Sequence, residues 1–332
     1  MSDLPGRQRP RRNRRTPAWR SLVREHHLRP SDLVLPLFVC EGTARREAIE
    51  ALPGRSRTSI DEMLRDVAEA DALGITAVAL FPVIPDALKD VQGSASADEQ
   101  GLMPRSIRAL KQAFPQMQVI GDVAMDPYSS DGHDGVVTGD GTIDNDSTLP
   151  ILCRMAVTQA QAGIDCVAPS DMMDGRVGAI RDALDVAGFP MVTIMSYCVK
   201  YASAFYGPFR QALDSAPRHG DKKTYQMDPA NRREAMREVA LDVAEGADML
   251  MVKPGLPYLD VVSAVRQVSD LPVAVYHVSG EYAMLHAAAQ RGWLDYESCL
   301  LESLLACKRA GADCIFTYGA CDAARALVAN GG

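Results

Sequence analysis

One unit recurs along the chain: an amphipathic helical pattern, then a glycine, then a short apolar run. Its clearest copies are DALGITAVALFPV (71–83), QAGIDCVAPS (161–170), EGADMLMVKP (245–254) and RAGADCIFTY (309–318). Each glycine stands where a left-handed residue commonly ends a helix. Four less regular apolar runs complete a set of eight, at 33–39, 117–125, 190–197 and 271–279. Short, continuously apolar strands separated by helices are typical of a parallel sheet covered on both faces.

Eight such units favour a closed barrel over an open sheet. No GxGxxG motif follows the first strand, and the chain has no P-loop. We therefore predict an α/β fold, a (β/α)8 TIM barrel over residues 31–332, with an extended N-terminal arm over residues 1–30. A helix over 59–73 is expected to begin with a capping box formed by Ser59 and Glu62. Further helices are expected at 230–245 and 296–310.

The arm is strongly basic. Residues 1–24 carry eight arginines and one aspartate, so they contribute +7 to the net charge of −8 and leave −15 on the remainder. Contact with nucleic acid or membrane has little support downstream, and a transit peptide would be rich in serine. The complementary charges favour docking of the arm on the acidic surface of a sister subunit. We predict a homo-oligomer with no nucleic-acid and no membrane partner.

The cysteines and the hydropathy pattern bear on the compartment. Eight cysteines are present without a CxxC pair, and several lie inside apolar strand patterns. This usage is typical of buried free thiols in a reducing compartment. No apolar run approaches the roughly 18 residues that a membrane span needs. These features predict a cytoplasmic protein.

Two predicted strand ends carry a lysine. Lys253 ends the apolar run 249–252, and Lys200 stands just past the fifth strand. Neighbouring strands lie about 4.8 Å apart, so the two amines are expected to approach each other. Mutual repulsion and poor solvation favour the neutral amine, which forms Schiff bases with ketones. A single lysine would equally suit an anchor for a phosphate or carboxylate, but two on adjacent strands favour imine chemistry.

Other polar side chains converge on the same rim. The segments beyond the minimal barrel, at 84–104, 127–147 and 198–229, follow the carboxyl ends of strands two, three and five, where barrel active sites form. Arg210, Lys222 and Gln226 in the last segment suit a carboxylate. Phe205 and Tyr206 in the same segment suit a lid. Four further candidates stand at strand ends: Asp122, Ser170, Ser279 and Tyr318.

Five motifs resemble the 5-aminolevulinate dehydratases, also called porphobilinogen synthases. They are VAPSDMMDGR (167–176), YASAFYGPFR (201–210), TYQMDPANRREA (224–235), DMLMVKPGLPYLD (248–260) and YHVSGEYAM (276–284). The resemblance implies a lyase that condenses two molecules of 5-aminolevulinate to porphobilinogen with loss of water, for haem and chlorophyll synthesis. It implies no organic cofactor, and an arm that wraps a neighbouring subunit in a homo-octamer built from dimers, with a hexamer as the alternative.

The resemblance also assigns roles to residues. It implies that Lys253 forms a Schiff base with the first-bound substrate, whose carboxylate Ser279 and Tyr318 hold. Lys200 would form the second Schiff base, and Asp122 would shuttle protons. The remaining residues implied to line the site or receive the second carboxylate are Ser170, Arg210, Lys222 and Gln226. Phe205 joins the predicted substrate-binding residues through its expected place in the lid.

The segment DVAMDPYSSDGHDG (122–135) bears on metal use. Zinc-dependent members have three cysteines where this chain has Ala124, Asp126 and Asp134, so a catalytic zinc is not expected. The aspartate-rich branch of the family uses magnesium or no catalytic metal. Asp126 and Asp134 would hold the second substrate's amino group or a hard cation, while the loop's other aspartates face water. Glu238 matches a position that binds an allosteric magnesium, although a lone surface glutamate is the simpler interpretation.

A second enzyme class shares these features. A class I aldolase on the same fold uses one imine lysine, and its second amine acts as an acid or a base. The sequence alone leaves this alternative open.

Overall fold

Eight parallel strands close into a barrel, which confirms the predicted TIM-barrel fold. The computed structural model describes residues 8–213 and 217–329. The strands follow one another around the barrel in chain order, and the last pairs with the first. Their bounds are Leu33–Cys40 (β1), Ala77–Val83 (β2), Gln118–Val123 (β3), Cys166–Pro169 (β4), Thr193–Lys200 (β5), Met249–Lys253 (β6), Val273–His277 (β7) and Cys314–Thr317 (β8).

Helices form the outer layer. Seven lead from one strand to the next and an eighth follows β8: Ile60–Ala72 (α1), Leu102–Ala113 (α2), Asn145–Gln161 (α3), Arg176–Val186 (α4), Arg233–Ala244 (α5), Leu259–Val268 (α6), Tyr296–Ala310 (α7) and Ala320–Ala329 (α8). Three more helices lie at Pro17–Leu22, Gly207–Leu213 and Ser279–Gln290. Short 3-10 helices cover Pro10–Arg14, Pro30–Asp32, Asp86–Leu88, Ser94–Ala97, Ala204–Tyr206 and Leu256–Tyr258.

The strands have two apolar faces, as their continuous hydrophobicity predicts. One set of side chains packs outward against the helices, and the alternate set fills the barrel. The inner cluster is aromatic toward the carboxyl ends of the strands, where it contains Phe38, Phe81, Tyr197, Tyr276 and Tyr318. Gly74 and Gly311 follow α1 and α7 with φ of 79° and 121°, which a residue without a side chain adopts readily.

A hairpin that the sequence analysis did not predict follows β1. Its strands, Arg46–Ala48 and Ser56–Thr58, are antiparallel, and the second also pairs with β1. The predicted capping box is wrong, because the hairpin uses the cap residue: the Ser59 hydroxyl accepts the Arg45 N–H at 3.0 Å and donates to Asp61 at 2.6 Å. A second small hairpin, 136–137 with 143–144, lies in the long segment after β3.

Within the described residues, the N-terminal arm adds no buried residue to the barrel of its own chain, and the first buried residue is Leu33. Residues 1–7 of the predicted arm lie outside the described residues, and every residue from 8 to 25 is exposed. Trp19 and Leu22, on the arm helix, are 40% and 74% exposed. All eight cysteines are free thiols. Within the described residues, no helix combines the length and the apolar character needed to cross a bilayer.

Candidate active site

Lys200 and Lys253 are paired neighbours at the carboxyl ends of β5 and β6. Their Cα atoms stand opposite each other in the strand register, and the two residues are only 6% and 5% exposed. The prediction that Lys200 lies just past its strand is corrected, since β5 extends to Lys200 itself. Both amines therefore enter the barrel at the same level.

An irregularity in β5 brings Lys200 to the inner face. Met195 and Tyr197 belong to the inner cluster, so strict alternation would place residue 199 inside and Lys200 outside. Cys198 and Val199 instead both pack in the outer cluster. The register advances by three residues on β5 and by two on β6 across this point, which is a β-bulge. The extra residue reverses the alternation and turns Lys200 toward Lys253.

Four aromatic rings surround the amine of Lys253, and we call them the aromatic cage. The Nζ atom lies 4.5 Å from the ring centre of Tyr276, 4.9 Å from Phe209, and 5.2 Å from both Tyr197 and Tyr206. Burial, and then the nearby charge of Lys200, lower the pKa of Lys253 from its ordinary value of 10.5 to about 7. A substantial fraction of this amine is therefore neutral near pH 7.

Oxygen atoms surround the amine of Lys200 instead. Its Nζ donates a hydrogen bond to the backbone carbonyl of Ser170 and lies 3.7 Å from a carboxylate oxygen of Asp134. The nearest ring centre, that of Tyr197, is 6.0 Å away. Tyr197 thus separates two amines that have opposite surroundings.

Three buried aspartates and Lys222 complete the polar side. Lys222 lies 3.2 Å from Asp126 and 3.0 Å from Asp134, so it pairs with both aspartates. Burial opposes the charge of Lys222, but the two carboxylates outweigh it and raise its pKa. Burial also opposes ionisation of Asp134, yet Lys200 and Lys222 hold its pKa at about 2. Burial and the neighbouring Asp126 raise the pKa of Asp122 to about 7.

Most of the predicted site residues line one small cavity between these groups. Its free volume is about 30 Å³, room for about two water molecules. The sequence analysis did not select Phe81 or Phe209 among the site residues, and it considered Tyr206 only for a lid. The lining residues are Phe81, Asp122, Asp126, Ser170, Lys200, Tyr206, Phe209, Arg210, Lys222, Gln226 and Lys253.

Four of the predicted substrate-binding residues are absent from this lining: Asp134, Phe205, Ser279 and Tyr318. The Ser279 hydroxyl accepts the N–H of Phe209 at 3.0 Å and donates to the carbonyl of Phe205 at 3.3 Å. Tyr318 is 1% exposed, and its hydroxyl lies 3.1 Å from that of Tyr276. Ser279 thus binds the backbone of residues 204–213, which we call the lid segment, and Tyr318 approaches Lys253 only through the aromatic cage.

His133 and Tyr225 were not predicted, and they hold Asp134 in place. The Tyr225 hydroxyl accepts the N–H of Asp134 at 3.3 Å and lies 3.1 Å from Nδ1 of His133. The other ring nitrogen of His133 lies 2.9 Å from the carbonyl of His219. These bonds join the segment after β3 to the segment after β5. Histidine and tyrosine in two separate loops gave no pattern from which this contact could be predicted.

The acidic residues considered for metal binding lie in different surroundings. Among the loop aspartates, Asp126 and Asp134 are buried, whereas Asp131, Asp140, Asp144 and Asp146 are partly or fully exposed. Glu238, on α5, is absent from the lining of the cavity that holds both lysines, and burial followed by the charge of Asp242 raises its pKa. Across residues 8–213 and 217–329, no group of three or more His, Cys, Asp or Glu side chains could hold a metal ion.

Curated relatives match nearly the whole chain. The chloroplastic delta-aminolevulinic acid dehydratase of Glycine max is 56% identical over 328 residues, which cover 98% of this chain and 79% of that protein. The chloroplastic enzyme of Chlamydomonas reinhardtii is 54% identical, with 98% and 85% covered. The cytoplasmic location predicted from the sequence is contradicted by this comparison, because both relatives are named chloroplastic.

A family model and a solved structure agree with these relatives. The model described as delta-aminolevulinic acid dehydratase matches residues 7–326. The crystal structure of the delta-aminolevulinic acid dehydratase (porphobilinogen synthase) of Toxoplasma gondii ME49, in complex with the reaction product porphobilinogen, superimposes with a TM-score of 0.97 at 54% identity. It covers 98% of this chain and 93% of that chain. The chain therefore belongs to the delta-aminolevulinic acid dehydratase family.

Proposed function

We propose that this chain is a porphobilinogen synthase that condenses two molecules of 5-aminolevulinate with loss of water, through Schiff bases on Lys200 and Lys253. The observation that carries the proposal is the pair itself: two buried lysines opposite each other on adjacent strands, in one closed cavity. Family membership supports the same substrate and product. The reaction is that of a lyase in tetrapyrrole synthesis.

Lys253 is the better nucleophile of the two as the site stands. Its amine has a pKa of about 7, and within the described residues it has no anionic partner at salt-bridge distance. A neutral amine attacks the ketone carbon of 5-aminolevulinate, and the carbinolamine loses water to give the imine. The cationic imine then withdraws electrons and acidifies the adjacent carbon for C–C bond formation. Asp122, whose pKa is also about 7, suits the accompanying proton transfers.

Lys200 and the polar side suit the second substrate. Arg210 and Gln226 line the cavity, and the side chains of both carry N–H groups that can donate hydrogen bonds to a carboxylate. We assign these two residues to the second carboxylate. Lys222 joins them only after release from Asp126 and Asp134, whose carboxylates are then free to hold a substrate amino group.

The first carboxylate site requires the lid segment to open. Ser279 is bonded to the backbone of this segment, and Tyr318 lies behind Tyr276. A space of about 30 Å³ is also too small for either substrate. We infer that displacement of Phe205 and Phe209 from Ser279 precedes binding, and that closure then excludes water from the imines.

We propose that residues 1–30 form an oligomerisation arm and residues 31–332 the catalytic barrel. Residues 8–25 of the arm are exposed, apolar at Trp19 and Leu22, and basic beside a chain that is otherwise acidic. These properties suit docking on a second copy, in an octamer built from dimers or in a hexamer. The number of subunits per particle, obtained from particle mass before and after removal of residues 1–24, tests this assignment. An unchanged number of subunits would contradict it.

Magnesium use remains a prediction. Lys222 supplies the positive charge between Asp126 and Asp134, so these carboxylates do not suit a resident cation in this arrangement. Glu238 has Asp242 nearby and lines an outer cavity with Asp174, which suits at most a hydrated ion. We expect zinc-selective chelators to leave activity intact. Measuring activity and particle mass with and without magnesium tests an allosteric role.

Trapping of the imines tests the chemistry directly. The enzyme is incubated with 5-aminolevulinate, reduced with borohydride, and mapped by peptide mass spectrometry. We expect substrate-derived label on both Lys200 and Lys253, together with porphobilinogen in the unreduced sample. Label on only one lysine would favour the class I aldolase alternative, and no label on either would refute the proposal.

A further inference from the structure

Glu281 is a buried acidic residue close to Lys253 that the proposed chemistry does not use. It lies in the first turn of the helix Ser279–Gln290 and is 1% exposed. A buried carboxylate is unfavourable unless hydrogen bonds or charges compensate it. In the part of the chain that the structure describes, Glu281 has no lysine or arginine partner, and its compensation comes from the backbone alone.

Three backbone N–H groups converge on this carboxylate. One oxygen, Oε2, accepts from Val278 at 2.6 Å and from Gly255 at 3.3 Å. The other, Oε1, accepts from Leu256 at 2.6 Å. Gly255 and Leu256 form the turn after β6, and Val278 follows β7. Glu281 therefore joins the ends of the two strands.

The connection begins where the strand pairing stops. The register between β6 and β7 ends at Val252 opposite Val275, one residue before Lys253. Beyond this point the turn stays close to β7, and the approach leaves no room for a side chain at Gly255. A Cβ atom added there would lie 3.0 Å from the Val275 side chain and 3.2 Å from the carbonyl oxygen of Tyr276. Tyr276 also supplies the ring closest to the amine of Lys253.

We propose that Glu281 is a positioning residue for Lys253: it fixes the turn after β6 against the end of β7 and thereby sets the place of the amine within the aromatic cage. The inference rests on the proposed function of Lys253 as an imine-forming residue. An ionised carboxylate suits this task because both of its oxygens only accept hydrogen bonds. Burial raises the pKa of Glu281 to about 7, and the three backbone N–H groups oppose this rise by stabilising the ionised form. A glutamine would place an NH2 donor against one or more of the three N–H groups.

The test compares Glu281→Gln and Glu281→Asp with the wild-type enzyme. Each is incubated with 5-aminolevulinate at a series of pH values around 7, reduced with borohydride, and the label on Lys253 and Lys200 is quantified separately. For Glu281→Gln we expect the ratio of label on Lys253 to label on Lys200 to fall about tenfold, because small displacements of a reacting group are costly. The pH of half-labelling at Lys253 should rise as the amine becomes better solvated. Glu281→Asp, which keeps the carboxyl group, should change both quantities less.

Glu62→Gln is the matched control. Glu62 is 8% exposed, lies on α1 and pairs with Arg46 and Arg65, away from both lysines. We expect it to lower the unfolding temperature without changing the labelling ratio or its pH profile. The inference is overturned if a folded Glu281→Gln enzyme labels as the wild type does. It is equally overturned if neither Glu281 variant folds, since the residue then serves the whole fold. Absence of label on wild-type Lys253 would refute the proposed function instead.

Discussion

The two halves of the cavity surround a lysine amine with different kinds of group. Lys253 has four aromatic rings within 5.2 Å of its amine, whereas Lys200 has a backbone carbonyl and the carboxylate of Asp134. Aromatic faces attract a cation weakly and do not replace its hydration, while oxygen atoms do. The difference teaches that adjacency of two lysines does not by itself make both nucleophilic. Burial among the aromatic rings is the largest cause of the lowered pKa of Lys253.

Replacing each lysine by methionine is expected to give the largest effects. Both Lys253→Met and Lys200→Met should reduce turnover by at least about 1,000-fold, because each removes an imine-forming amine. Their stabilities should differ. Lys253→Met removes a buried charge without an anionic partner and should not lower the unfolding temperature, whereas Lys200→Met takes one of two cations from Asp134 and should lower it. Thermal unfolding and steady-state assays check this. Equal losses of unfolding temperature in Lys253→Met and Lys200→Met would contradict the proposed difference between the surroundings of the two lysines.

Lys222→Met should disrupt the oxygen-rich half alone. It leaves Asp126 and Asp134 buried without their shared ammonium, so we expect a loss of about 3 kcal/mol in unfolding free energy and of about 100-fold in kcat/KM. Lys111→Met is the control, since Lys111 pairs with Asp165 at 2.8 Å outside the cavity. That variant should lose about 1 kcal/mol or less and keep full activity. Denaturant titrations and initial rates compare the two, and similar rate losses would contradict the assignment.

Phe209→Ala should open the apolar half. The ring lies 4.9 Å from the Lys253 amine and packs against Phe38 and Phe81, so its loss admits water to the cage. We expect the pKa of Lys253 to rise from about 7 and the rate at neutral pH to fall about tenfold. Phe189 packs against the outer cluster, and Phe189→Ala is expected to lower stability without this rate effect. A pH–rate profile of Phe209→Ala that matches the wild type would show that the cage does not control the amine.

The pH dependence of imine trapping should give the smallest effect. Lys253 is labelled in its neutral form, so label in the wild type should rise as pH increases through about 7. Lys200 is the second largest cause of the lowered pKa, and Lys200→Met removes this repulsion. The charged form of Lys253 then costs less, and the midpoint of labelling should move to higher pH by about one unit or less. A midpoint that moves to lower pH would contradict repulsion between the two amines.

Much of the barrel was predictable because its signals are local. Gly74 and Gly311 mark helix ends through a backbone conformation, and a continuous apolar run such as 33–39 marks a strand covered on both faces. The hairpin after β1 was missed because its short strands, Arg46–Ala48 and Ser56–Thr58, are polar and partly exposed. The predicted capping box is wrong because of the same hairpin, since the Ser59 hydroxyl bonds to Arg45, which lies 14 positions away in the sequence.

The sequence predicted which residues form the site better than it predicted how those residues contact one another. Strand-end positions identified Asp122, Lys200 and Lys253, because the carboxyl ends of parallel strands meet at one rim. The pairing of Lys222 with Asp126 joins residues 96 positions apart, and no local pattern encodes it. The bond between Ser279 and the lid segment depends likewise on how a loop folds back.

The sequence by itself determined the barrel, the edge of the barrel at which the candidate catalytic residues lie, and the presence of two lysines at that edge. These features follow from hydrophobic periodicity and strand order, which local residues encode. Only the tertiary structure decided that both amines share one cavity, because a single bulge at Cys198 and Val199 reverses the alternation of β5. It alone also decided which amine is enclosed by aromatic rings, because those rings come from β5, β7 and the lid segment, which meet only in the folded barrel.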